Sequence, residues 1–173
     1  AEVCSLVYSF NNQITEEPNN ELRLLSSLAG LNVINTYQNV MELQRRELIQ
    51  DRSIWRAVLP HAIANRLAKR ALENIPLDIV CNVFEKGGST RLLQSFSKRL
   101  SYVHESDGAN DICRRWLSTG GLLADITQLD ELGIVLFRNI APINLELTIS
   151  AIEKVVHGAE AQRFFSRKTN KYY

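Results

Sequence analysis

Cysteine is scarce in this chain, and the three that occur, Cys4, Cys81 and Cys113, stand far apart among apolar neighbours. Zinc sites draw on close pairs such as Cys-x-x-Cys, and secreted disulfide frameworks need more cysteines in even number. Neither pattern is present, so the spacing favours buried thiols in a reducing, cytoplasmic setting and no metal site. No run of 18 apolar residues occurs, so neither a membrane-spanning helix nor a signal peptide is expected. Charge of one sign is missing as well. Lys and Arg number 20 against 19 Asp and Glu, divided eight to seven over residues 1–72 and twelve to twelve over 73–173. So even a balance gives no electrostatic footprint for a nucleic-acid partner.

Catalytic constellations are absent too. Gly87-Gly88-Ser89-Thr90 invites a phosphate-loop reading, but a Walker loop needs Gly-x-x-x-x-Gly-Lys followed by Ser or Thr between a strand and a helix. His104, close to Glu105 and Asp107, could serve a metal or act as a base. The plainer account is a histidine at a helix end, stabilised by one of those acids. No Ser-His-Asp or paired-carboxylate arrangement stands out. The chain is therefore expected not to be an enzyme by itself.

What is present is a well-marked series of short elements. Glu21 to Leu31 predicts a short apolar helix ending near Gly30. Asn32 suits the N-cap of a second helix, Val33 to Leu48, with Val33, Tyr37, Val40 and Met41 on one face. Residues 48–50 and 54–58 read as two strands around a turn at Asp51-Arg52-Ser53. Pro60 suits the first position of a third helix. His61 then lies beside unpaired backbone donors, where an imidazole N–H and the positive helix end could both meet a phosphate. The alternative is an ordinary polar residue at a helix start. Helix, helix, hairpin, helix is the order of a winged helix.

Two stretches carry a family resemblance: Leu43-Gln44-Arg45-Arg46-Glu47-Leu48-Ile49-Gln50, and Trp55-Arg56-Ala57-Val58-Leu59-Pro60-His61 with the helix through Ala68. They resemble the winged-helix region of bacterial STAND signalling NTPases, relatives of the NLR immune receptors. In that family a histidine at the start of the helix after the wing, often within Met-His-Asp, touches the β-phosphate of ADP. Pro60-His61-Ala62 stands at that place, with the histidine matched and its neighbours not, so the family's aspartate has no counterpart. Residues 95–106, Arg115-Trp116-Leu117, Gly120-Gly121-Leu122-Leu123 and Asn139-Ile140-Ala141-Pro142 resemble the helical segment that follows in a subgroup rich in antiphage defence proteins.

The resemblance implies a cytoplasmic regulatory fragment, with the P-loop domain upstream in the same chain, helical repeats downstream and an unknown target protein sensed by them. It also implies ADP or ATP with magnesium in the parent, none held by the fragment alone, and an oligomer on activation. His61 is the candidate nucleotide-contacting residue, with Trp55 and Ile63 expected to hold wing and helix in register behind it.

Beyond Leu72 the sequence predicts helix after helix. Pro76 opens one to Glu85 with Leu77, Val80, Cys81 and Phe84 on a face; Ser89 or Thr90 caps one bearing Leu92, Leu93, Phe96 and Leu100. Further helices are expected over Gly108 to Trp116, over Leu129 to Phe137, and from Asn144 with Leu147, Ile149 and Ile152. The expected architecture is mainly α: a winged helix over 1–72, with a three-helix core and short β-hairpin, then a helical adaptor over 73–173 that matches the start of a solenoid without a fixed repeat.

Two other functions compete. In a DNA-binding winged helix, Val33 to Leu48 would enter the major groove, presenting Asn35, Gln38, Asn39, Glu42 and Arg45 or Arg46. In a helical protein-interaction module, Trp116, Phe137 and Phe164-Phe165 would be anchors. The tail from Arg163 to Tyr173, basic and aromatic, suits single-stranded nucleic acid or, more plainly, the start of a further repeat.

Overall fold

The computed structural model describes residues 1–157, and the tail from Arg163, with Phe164 and Phe165, lies outside the described residues. They form a mainly helical molecule with one small antiparallel sheet. Helix α1 (Glu2–Ser5) leads into strand β1 (Phe10–Asn11), then α2 (Glu21–Leu28) and α3 (Val33–Arg45). A hairpin of β2 (Ile49–Arg52) and β3 (Trp55–Val58) precedes α4 (His61–Asn74). The rest is α5 (Leu77–Lys86), α6 (Thr90–Ser101), α7 (Asp107–Leu117), α8 (Glu131–Ile140) and α9 (Leu145–His157).

Local chemistry sets most boundaries. Asn32 accepts from the Asn35 N–H at 2.8 Å, and Ser89, Ser106, Asp130 and Asn144 cap α6 to α9 in the same way. Helix α3 stops at Arg45 rather than Leu48, because Glu47 takes φ +58° and the Leu48 N–H closes back on the Leu43 carbonyl at 3.0 Å. Gly30, at φ +64°, ends α2 with the same closure, so that helix stops at Leu28 rather than Leu31.

The hairpin turn is Ser53-Ile54, one step later than the trio read from sequence, since Asp51 and Arg52 pair with Arg56 and Trp55 in the ladder. The Arg56 guanidinium fixes this register, donating to Asp51 Oδ1 at 2.8 Å and to the Ser53 carbonyl at 2.6 Å. Strand β1 lies on the outer side of β3, giving the order β1-β3-β2. Two elements thus exceed the sequence reading, α1 and β1. Each is too short for periodicity to reveal, and Phe10 earns its strand through burial and pairing with residues 45 positions away.

The core runs without a break from Cys4 to Ile143. Ala64, Ala68 and Ala71 form a fully buried stripe at i, i+4, i+7 on α4, narrow enough for α1 to pack closely. Farther along, Phe84 of α5 stacks on Phe96 of α6 with centroids 3.9 Å apart, and Trp116 of α7 meets Phe96 edge-on. The Trp116 indole N–H donates to Glu85 at 2.9 Å, which makes this tryptophan core rather than a surface anchor. Phe137 is half-buried against the same core. On α9, Leu147 is half-buried but Ile149 and Ile152 face outward. Among the described residues no helix is long and apolar enough to cross a membrane.

Candidate functional site

His61 is the first helical residue of α4. Pro60 is its N-cap, with φ −61° and ψ 157°, one position earlier than expected. An extended ψ keeps proline out of the helix, while its carbonyl accepts from Ile63 and Ala64, both at 3.0 Å. Pro60 offers no side-chain cap, so the N–H groups of His61 and Ala62 have no acceptor among the described residues. The histidine is exposed. An anion set against this helix end would meet two backbone donors, with the imidazole of the same residue beside them.

The wall behind His61 differs from the expectation. Trp55 is 36% and Ile63 43% exposed, and neither wedges the wing against the helix. Trp55 instead carries the Arg91 guanidinium 4.3 Å above its ring. The imidazole stacks on Tyr8, with centroids 5.3 Å apart and planes 19° from parallel. Tyr8 also stacks on Tyr102, and the Lys98 ammonium lies 3.8 Å from its ring centre. His61 is therefore braced by the segment before β1 and, through it, by α6.

Arg99 is the least ordinary residue of this group. It is 1% exposed, donates to Asn65 Oδ1 at 2.5 Å and to the Val7 carbonyl at 3.4 Å, and leaves its Nε without an acceptor. Burial pulls its pKa down, because no carboxylate offsets the lost hydration. Sequence reasoning passed over Tyr8, Lys98, Arg99 and Tyr102. One signal was available: Arg99 follows Leu92 and Phe96 at i+7, on the apolar face of α6.

A second junction ties the sheet to the helices. Glu21, 8% exposed, receives Arg91 through Nε and Nη2, the Asn11 N–H at 2.6 Å and the Ser89 hydroxyl at 3.2 Å. Gly87 and Ser89 thus serve helix ends, and Gly87-Gly88-Ser89-Thr90 is no phosphate loop. On α3 the expected outward residues do face out, but Glu42 pairs with both Arg45 (3.0 Å) and Arg46 (2.8 Å). Those contacts hold the Glu42 carboxyl below its usual range.

His104 lies exposed in the turn after α6, with no ion pair to Glu105 or Asp107. A nearby hollow of about 270 Å³ carries Glu73, Glu105, Asp107 and Asp111 facing Lys69. Among the described residues, no group of three His, Cys, Asp or Glu side chains is placed to hold a metal ion. All three cysteines are buried and free, and burial raises each thiol's pKa, that of Cys81 to about 12 with help from Glu85. Comparison with protein-family models, with curated proteins and with solved structures found no match to this chain.

Proposed function

We propose that this chain is the regulatory region of a STAND-type signalling NTPase, a winged helix that closes over ADP at rest, followed by a helical adaptor. The carrying observation is an element order, helix, strand, helix, helix, strand, strand, that delivers an exposed histidine onto an uncapped helix start. His61 and the His61 and Ala62 amides suit one phosphate group, and among the described residues no Walker loop lies beside them. Triphosphate binding and hydrolysis therefore belong to an upstream part of the parent. Stacking on Tyr8 gives the clamp its relay: α4, the segment before β1 and α6 share one aromatic contact, so displacing the histidine disturbs the adaptor. A clamp of this kind works only through contacts that differ between its closed and open states.

The groove-reading alternative gains no support from α3, where Glu42 pairs with both Arg45 and Arg46 and, together with Glu47, balances the charge a phosphate backbone would need. The test is the intact parent protein. Purified without a trigger, it is expected to carry tightly held ADP, released by heat and identified by chromatography, and to contain a Walker lysine upstream of Ala1. A parent with neither would remove the proposal.

A further inference from the structure

We infer that the cleft between α6 and α8 binds a small, multiply charged phosphate compound, a diphosphate or a phosphate ester. The cleft is an open one of about 450 Å³. Its walls are Tyr8 and Ser9 before β1, one face of α6 from Arg91 to Lys98, and Val135, Arg138 and Asn139 of α8. No Asp or Glu lines it. Arg91 is already matched by Glu21, whereas Lys98 and Arg138 have no carboxylate within ion-pair distance among the described residues. Two cations without a carboxylate partner among the described residues thus face one hollow, Lys98 resting against the Tyr8 ring. The buried Arg99, 5.6 Å from the centre of the Tyr8 ring and equally without a carboxylate, adds to the positive potential.

The chemistry of the lining selects the ligand. A single carboxylate brings one charge and two oxygens, which would leave one cation unmet. A phosphate brings up to two charges and three acceptor oxygens, enough for an ammonium, a guanidinium and an amide together. The amides are there: Gln94 makes no side-chain hydrogen bond among the described residues, and Asn139 uses one amide proton on Ser97 at 2.9 Å. A polynucleotide would need a basic stripe running beyond the cleft, and the lining holds only Arg91, Lys98 and Arg138, of which Arg91 is matched by Glu21. His61 is not among the lining residues, although Tyr8 and Lys98 belong both to this cleft and to the contacts that brace His61.

The experiment titrates the isotope-labelled 173-residue chain with pyrophosphate and, separately, phosphoserine at low salt, following amide resonances. Saturable shifts of the Gln94 and Asn139 side-chain amides are expected. Their midpoint should rise at least tenfold in the double variant Lys98→Gln, Arg138→Gln, with backbone amide resonances away from the cleft and from Tyr8 unchanged as the sign that the fold is kept. Tighter pyrophosphate binding identifies a diphosphate as the ligand class, and tighter phosphoserine binding an ester. Three results would each overturn the inference: no saturable shift, shifts confined to the His61 and Ala62 backbone amides, or an acidic peptide binding more tightly than either phosphate.

Discussion

Gly121 shows how tightly the backbone constrains one residue. A Cβ there would lie 2.2 Å from the Arg115 carbonyl oxygen and 2.6 Å from that of Trp116, where the chain folds back so that the Leu123 N–H reaches Trp116 at 2.8 Å. Gly121→Ala should therefore destabilise the chain by about 2 kcal/mol or more, since backbone rather than a flexible side chain must move. Thermal unfolding checks it, and an unchanged midpoint would mean the turn yields freely. Cys81 gives a pH test. Its folded pKa of about 12 lies above that of an exposed thiol, so its contribution is fully present below the unfolded value. Between about pH 9 and 12 only the unfolded chain gives up the proton, and stability should fall by about 1.4 kcal/mol per pH unit. Urea unfolding across that range should show a shallower decline in Cys81→Ala. Equal slopes would contradict the assignment.

At the scale of elements, the Glu21–Arg91 junction joins β1, α2 and α6, with Trp55 of β3 beneath it. Arg91→Met keeps an apolar stem on Trp55 but leaves a nearly buried carboxylate without its cation. The expected cost is about 2–3 kcal/mol, below that of a fully buried pair because the Arg91 side chain is 34% exposed. Adding Glu21→Gln should recover a good part of it, and a double-mutant cycle measures the coupling. Helix α3 offers a functional test: Arg45→Ala with Arg46→Ala should leave duplex DNA affinity unchanged and negligible. Submicromolar, sequence-selective binding lost in that double variant would put groove reading first.

Helices were readable from sequence because their signals are local. Asn32, Ser89 and Asn144 announce helix starts, and the apolar positions of α6 fall on one face. Strand β1 and the Tyr8 cluster were not readable, because contacts spanning about 45 and 90 residues create them. For the site, His61 could be placed at a helix start from Pro60, but the bracing by Tyr8 could not be placed from any local pattern.

At the scale of the whole molecule, the described residues offer a phosphate the donors at the start of α4, and the sequence carries no Walker loop. One imidazole and two amides contribute about 1–3 kcal/mol each, and after the loss of translational and rotational freedom on association their sum falls short of the roughly 8 kcal/mol that micromolar affinity requires. The isolated chain should therefore show no ATP hydrolysis and no micromolar ADP binding at the start of α4: any saturable calorimetric signal should persist in His61→Ala and vanish in Lys98→Gln with Arg138→Gln, and micromolar binding lost in His61→Ala would contradict the expectation. The central claim is that His61 holds the parent closed over ADP. The most direct measurement is the rate of ADP release from the full-length parent, wild type against His61→Ala. Alanine keeps the helix start, so folding should survive while one donor to phosphate is lost. The closed state should weaken by about 1–3 kcal/mol, which is release faster by roughly five- to a hundredfold, with signalling rising in the absence of a trigger. A variant that retains ADP as long as the wild type and stays silent would contradict the account.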